Sequence, residues 1–126
     1  MMVANSLEIK INENPLTKEI LLSFLKNKVA NISNNNPRNS AQLTKNGDTY
    51  RIDIGFPDNR IEQELSLIHE AIHAIYDALG WVFNPDQKEI ENLIEREAER
   101  FYRENEDFVS QIYSKLVDKK IKSMDL

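Results

Sequence analysis

Residues 50–80 read YRIDIGFPDNRIEQELSLIHEAIHAIYDALG, and this stretch decides the fold. Apolar and polar side chains alternate over 50–56, which is the period of a strand with one buried face. A helix is predicted to follow, with Asp58 as its N-cap. It continues to Leu79 and ends at Gly80, a residue suited to the position just after a helix. The sequence thus predicts a half-buried strand that leads directly into a long helix.

Upstream of this stretch, the hydrophobic pattern predicts three further elements. Alternation indicates strands, helical spacing indicates a helix, and Asn46-Gly47 is typical of a two-residue hairpin turn. The predicted elements are a strand over 7–12, an amphipathic helix over 15–31 and a weaker strand over 41–45.

Downstream, a long helical region begins at Asp86, which fits a capping box with Glu89. It continues through Leu116, with a break near 104–107. The complete order is β-α-β-β-α-α. It predicts an α+β fold in which a small antiparallel sheet has helices packed on one side. We expect a single domain over 1–126, because this length supports one modest hydrophobic core.

The composition limits the chemistry available to the chain. It has 126 residues, two histidines, no cysteine and a formal net charge of −5. Nucleic-acid binding requires a basic face, and without cysteine there is no disulfide framework, thiolate ligand or thiol nucleophile. The apolar runs are too short to span a bilayer, and the first residues lack a secretory pattern. We expect a cytoplasmic protein that binds neither nucleic acid nor membrane.

Both histidines lie in one turn of the predicted helix, in His69-Glu70-Ala71-Ile72-His73, which is an HExxH pattern. Residues four apart on a helix share a face, so the two imidazoles can bind one metal ion. Glu70 is rotated away from His69 and is placed to act as a general base on a metal-activated water. The alternative is a pair of structural histidines beside the core. The helical phase favours metal binding, since both histidines flank the apolar stripe.

A third protein ligand must be a carboxylate, because the chain has no other histidine and no cysteine. The helical region after Asp86 is the natural source if it folds back against the histidine helix. Phase alone does not select one residue: Glu97 lies nearest the centre of its apolar stripe, Glu95 lies on the edge, and Glu91 and Glu99 mostly face outward. The candidates are Glu89, Glu91, Glu95, Glu97 and Glu99.

A family resemblance rests on 66–75 (SLIHEAIHAI), on 78–80 (ALG) and on 94–102 (IEREAERFY). These stretches resemble small phage- and mobile-element-encoded zinc peptidases, which are similar to the ImmA/IrrE-type and minigluzincin metallopeptidases. The resemblance covers about half the chain, 50–113. Two positions depart from the family pattern: Ile72 stands where many members have Gly, and Glu99 stands where gluzincins often have Asp or Asn.

The resemblance implies a minimal gluzincin-like fold with an HExxH active-site helix. It implies Zn²⁺ as the cofactor, held by His69, His73 and Glu95, with Glu70 as the catalytic base. Glu97 is the main rival to Glu95. The implied activity is hydrolysis of a peptide or protein substrate, for example a regulatory repressor of a phage or mobile element.

Supporting roles can be assigned to a few other residues. Tyr102 is a candidate donor to a developing oxyanion, and Asp77 is a candidate for orienting an imidazole; a solvated Asp77 is the alternative. Tyr76 is expected in the core. If the strand over 50–56 lies at the sheet edge, it can hold an extended peptide.

Two other functions remain open alongside the zinc peptidase. One is a catalytically latent or non-enzymatic regulatory module that keeps the metal for stability, which the short chain favours. The other is a helical interaction protein in which the HExxH pattern is accidental. Metal content and peptide hydrolysis distinguish the three. The sequence gives no indication of the oligomeric state.

Overall fold

The computed structural model describes residues 3–81 and 88–117, and over these residues the fold is α+β. Within them, five helices accompany a small three-stranded mixed sheet. The elements in chain order are α1 (Val3–Glu13), α2 (Lys18–Lys28), β1 (Val29–Ser33), β2 (Gln42–Asn46), β3 (Thr49–Asp53), α3 (Arg60–Ala78), α4 (Lys88–Glu104) and α5 (Glu106–Leu116).

The helix predicted after the central strand is present as α3, with its ends close to those expected. The N-cap is Asn59, one residue after the predicted Asp58, and its side chain accepts a hydrogen bond from the Glu62 N–H. At the other end, Gly80 adopts a left-handed φ of 73° and its N–H donates to the Asp77 carbonyl. A residue with a Cβ would be strained there, so Gly80 ends α3 as predicted.

The strand predicted over 7–12 is wrong, because this segment belongs to α1. Leu7 and Ile11 are buried, whereas Ile9 is 59% exposed. Alternating apolar residues also contain i,i+4 pairs, which lie on one face of a helix. Leu7 and Ile11 form such a pair, and α1 packs against α4. Burial of this pair in a helical interface decides the conformation.

The sheet differs from the predicted antiparallel one in its first strand. Its order is β1-β3-β2, with β2 antiparallel and β1 parallel to β3. The helix predicted over 15–31 ends at Lys28, and the chain continues as β1 with Val29 already extended. β-Branched side chains at Val29 and Ile32 favour this change.

The strand predicted over 50–56 is present as the central strand β3, which ends at Asp53, so the condition for peptide addition to it, a place at the sheet edge, is not met. The predicted hairpin joins it to β2 through Gly47, whose φ is 64°. On β3, Tyr50 and Ile52 are buried and Arg51 is exposed. The buried face is the one covered by helices, since α2 packs on β1 and α3 packs on β2 and β3.

The helical region after the histidine helix is interrupted where expected. α4 ends at Glu104, and α5 begins at Glu106 after Asn105, whose side-chain amide donates to the Phe101 carbonyl. The predicted capping box at Asp86 lies outside the described residues. Among the helices that the structure describes, none has the length and apolar character needed to cross a membrane.

Candidate metal centre

Both histidines of α3 direct their Nε2 atoms at one carboxylate, that of Glu91. The His69 Nε2 lies 2.6 Å from Glu91 Oε1. The His73 Nε2 lies 3.1 Å from Glu91 Oε2 and 3.3 Å from Oε1. The two imidazole rings lie one turn apart, with centroids separated by 4.9 Å and planes inclined at 45°. We call these three residues the His-His-Glu cluster.

The packing of α4 on α3 brings Glu91 to this position. The two helices run antiparallel, because Tyr102 near the end of α4 meets Glu64 near the start of α3, while Glu91 meets the histidines further along. Ile94 and Ala98 are fully buried in this packing. The turn of α4 that faces the histidines is therefore its first.

The donor set of the cluster fits a metal ion. Its three ligand atoms all lie within 4.8 Å of one another, and in the described part of the chain it is the only such group found. Two imidazole nitrogens and one carboxylate oxygen match the His₂Glu type of catalytic zinc site. The side chains of His69 and His73 are 21% and 14% exposed and that of Glu91 is 41% exposed. The cluster can therefore bind an ion that is still accessible from solvent.

Glu95, the ligand that the resemblance implied, is not part of this cluster. It lies one turn further along α4 and is exposed. Its place is in a neighbouring cleft of about 180 Å³, which we call the α3–α4 cleft. That cleft is lined by residues of both helices, including His69 and Glu70, and by Ala41 and Phe56 from the chain before α3.

The outward phase assigned to Glu91 from the sequence was wrong. Phase describes α4 alone, whereas the turn that faces His69 and His73 depends on how the connection from α3 places the second helix. One signal was available: Glu91 and Glu95 are four residues apart and share a face of α4. The choice of Glu95 as a ligand therefore made Glu91, one turn earlier on the same face, a candidate as well.

Glu70 lies beside the cluster, in the wall of the α3–α4 cleft. Burial raises the pKa of its carboxyl group above the ordinary value, and the nearby Glu91 carboxylate acts in the same direction. His73 and His69 oppose this rise. Since no contact joins Glu70 to the Nε2 atoms that face Glu91, its carboxyl group is available for proton transfer in the cleft.

Glu97, the rival to Glu95, has a structural role instead. It is 5% exposed, and its Oε2 accepts hydrogen bonds from the Leu16 N–H and from Arg100 Nη2, both at 2.7 Å. Its Oε1 accepts a third from Arg100 Nε at 2.8 Å. These bonds tie the segment before α2 to α4, and Glu97 is not part of the His-His-Glu cluster.

Replacement of Glu97 by Ala is expected to destabilise the fold without removing the metal site. The variant leaves the Leu16 N–H without its acceptor and removes two hydrogen bonds of Arg100, which keeps its 2.9 Å contact with Glu104. An unsatisfied buried donor costs about 1–3 kcal/mol, so a loss of about 2 kcal/mol is expected. Urea unfolding of Glu97→Ala measures this loss. Glu89→Ala is the matched control, since Glu89 is exposed on the same helix. If the free energy of unfolding falls no more in Glu97→Ala than in Glu89→Ala, the structural role assigned to Glu97 is contradicted.

Tyr102 and Asp77, which were considered for supporting roles at the site, form hydrogen bonds with other residues. The Tyr102 hydroxyl donates to Glu64 Oε1 at 3.1 Å. Asp77 accepts a 2.6 Å hydrogen bond from the Tyr50 hydroxyl, which lowers the pKa of Asp77. Lys45 lies 3.2 Å from the same carboxylate. Asp77 thus fastens the β2–β3 hairpin to the end of α3 and contacts no imidazole in the described structure.

Tyr76 is buried as expected, with 3% of its surface exposed. Its hydroxyl has no hydrogen-bond partner among the described residues. Burial raises the pKa of that hydroxyl, so it remains a neutral phenol.

Comparison with known proteins gives no relative. No protein-family model matches the chain, and neither a curated protein nor a solved structure matches it. The chemistry of the site is therefore argued from its own residues.

Proposed function

We propose that the protein is a zinc-dependent peptidase that hydrolyses peptide bonds with Glu70 as its general base. The observation that carries the proposal is the convergence of His69, His73 and Glu91 next to the carboxyl group of Glu70. The HExxH pattern and the resemblance to small gluzincin-like peptidases support the same function. The three ligand atoms and the base lie on two packed helices, α3 and α4, which also form most of the cleft.

The metal ion is held by the Nε2 atoms of His69 and His73 and by the carboxylate of Glu91. Glu91 takes the place that the resemblance gave to Glu95, because Glu91 alone contacts both imidazoles in the described structure. When bound, a zinc ion activates water and polarises a carbonyl group. Zinc is proposed because two imidazoles and one carboxylate form a known catalytic zinc set.

Glu70 moves the proton that the reaction requires. It follows His69 directly, and one residue on a helix corresponds to a rotation of about 100°. Its carboxylate therefore faces the cleft and not the ion. It accepts a proton from the attacking water as the carbon–oxygen bond forms, then gives that proton to the amide nitrogen as the carbon–nitrogen bond breaks. The raised pKa of Glu70 suits the first step, since it strengthens the carboxylate as the base that accepts the proton from water.

The substrate path begins at the free edge of β2. Within the described residues β3 is paired on both sides, whereas β1 and β2 each have one unpaired edge, and only the segment before β2 reaches the cleft. Ala41, just before β2, lines the α3–α4 cleft with His69 and Glu70. An extended peptide that adds to this edge gains backbone hydrogen bonds and passes the cleft. The strand that receives substrate is thus β2 and not the strand over 50–56.

Zinc-dependent cleavage of a peptide library tests the function. The protein is incubated with a mixed library of unstructured peptides, and products are identified by mass spectrometry. We expect cleavage that a chelator abolishes and added zinc restores. An absence of products from a protein that binds one equivalent of zinc would contradict the proposal.

A second function is favoured by one observation: the Tyr102 hydroxyl, the expected oxyanion donor, is bound to Glu64. A site without such a donor loses much of its stabilisation of the transition state. Under this alternative the ion joins α3 to α4 and stabilises a regulatory module. Zinc binding with a large thermal stabilisation and no hydrolysis would support it.

A further inference from the structure

The α3–α4 cleft combines an apolar wall with carboxylates that have no ion-pair partner in the part of the chain that the structure describes. We propose that it binds a basic side chain, that of Lys or Arg, from the peptide substrate. This inference rests on the proposed function, since it names the substrate class of the same site. The cleft shares His69 and Glu70 with that site, so a side chain bound here belongs to a residue close to the bond that is cut.

The size of the cleft indicates a single side chain as its occupant. Its volume is about 180 Å³, whereas pockets for whole small molecules typically measure about 300–1,000 Å³. Phe56, Leu65 and Ala98 provide apolar surface for an aliphatic stem. Lys and Arg bury such stems while their charged ends remain near polar groups.

The wall at Phe56 is held in a fixed and uncommon conformation. Phe56 has a left-handed φ of 57°. Its N–H donates to the Arg38 carbonyl at 2.8 Å, and its own carbonyl accepts from the Gln63 side chain at 2.8 Å. Such backbone strain in a bulky residue persists only where the surroundings enforce it. The aromatic side of the cleft is therefore formed before any ligand arrives.

Three carboxylates of the cleft, those of Glu62, Glu95 and Glu99, have no ion-pair partner among the described residues. Other glutamates on the same two helices do have partners: Glu64 pairs with Arg60, and Glu97 pairs with Arg100. The first three are thus left as unneutralised charges around one opening. The positively charged end of a ligand side chain is attracted by all three carboxylates, whereas an acidic end is repelled.

A serine hydroxyl also lines the cleft. Ser66 is only 8% exposed as a residue, and in the described part of the chain its hydroxyl makes no hydrogen bond to a protein group. Among the described residues the buried side-chain atom without a partner is the Tyr76 hydroxyl, so the Ser66 oxygen opens onto the cleft. Ser66 lies one turn before Glu70, and its oxygen can accept an N–H from the end of a Lys or Arg side chain. This neutral acceptor adds to the carboxylates of the cleft wall.

Binding of three matched peptides tests the inference. The probes are acetylated and amidated hexapeptides that differ only at one position, which is Lys, norleucine or Glu. Their affinities for the chelator-treated wild-type chain are measured by NMR titration, so that no cleavage occurs. We expect the Lys peptide to bind about fivefold more tightly than the norleucine peptide, the size typical of a partly exposed ion pair. The Glu peptide is expected to bind most weakly.

Variants of the cleft carboxylates test whether these groups cause the preference for the Lys peptide. In Glu62→Gln/Glu99→Gln the Lys and norleucine peptides are expected to bind equally, whereas Glu89→Gln keeps the preference because Glu89 lies outside the cleft. Equal affinities in the wild type, no binding of any peptide, or a preference that survives in the double variant would overturn the inference.

Cleavage of the same peptides by the zinc-loaded wild type separates this inference from the proposed function. A preference for the Lys peptide in binding without cleavage supports the basic subsite and contradicts the peptidase. Cleavage without a preference for Lys contradicts the subsite alone.

Discussion

Replacing His73 by Ala is expected to abolish the stoichiometric zinc binding that we propose, together with the thermal stabilisation that zinc would provide. One of three ligands is removed, and the remaining pair cannot complete a three-ligand site. Zinc at 100 times its dissociation constant stabilises a native state by about 2.7 kcal/mol. For a domain of this length that corresponds to roughly 10 °C in Tm. Thermal unfolding with and without zinc measures the shift, and metal analysis measures the stoichiometry.

The carboxylate ligand is identified by a matched pair of variants on α4. Glu91→Gln keeps the size of the side chain and removes its charge, so zinc affinity is expected to fall by at least about tenfold. Glu95→Gln is the control, one turn away on the same face, and it should keep the wild-type affinity. A loss at position 95 with none at position 91 would contradict the assignment of Glu91. Unchanged binding in His73→Ala would contradict the site as a whole.

Replacing Glu70 by Gln is expected to lower the proposed rate of peptide hydrolysis by at least about 100-fold and to leave zinc binding unchanged. General acid–base catalysis by one side chain contributes about 10²–10⁴ to a rate. Gln has a similar shape and cannot accept and return the proton. The rate of cleavage of a peptide from the library measures the effect, with kcat separated from KM.

Two readouts separate this catalytic role from a structural one. The zinc content of Glu70→Gln should equal that of the wild type, and its unfolding midpoint should not fall. A wild-type rate in this variant would show that Glu70 is not the base. A variant that loses both zinc and stability would show that the residue supports the cluster.

Elements were predicted correctly where the hydrophobic pattern of the sequence fits only one type of secondary structure. α3 was found with its ends correct to within a residue, because Gly80 tolerates a left-handed φ and the apolar stripe repeats at helical spacing. The two-residue hairpin was also found, with its turn shifted by one residue: Gly47 and Asp48 form the turn, and Asn46 pairs with Thr49 as the last residue of β2. α1 was missed because Leu7 and Ile11 satisfy both the strand period and the helix period, and only packing on α4 separates them.

The site was predicted in part for a similar reason. Two imidazoles in one turn of α3 follow from local spacing alone, and the structure keeps them together. The partner carboxylate depends on which turn of α4 faces α3, which is a tertiary property. Glu97 was a candidate metal ligand because it lies on the buried face of α4. It is buried in order to bind Arg100 and the Leu16 N–H, which lie far away in the sequence.

A crystal structure of the zinc-loaded protein, with anomalous data at the zinc edge, tests the central claim most directly. The predicted result is one peak between the Nε2 atoms of His69 and His73, with a Glu91 oxygen at about 2.0–2.2 Å and a fourth position left for water. An absence of a peak at these histidines would contradict the metal site. A Glu95 oxygen at that distance, with Glu91 turned away, would contradict the ligand set.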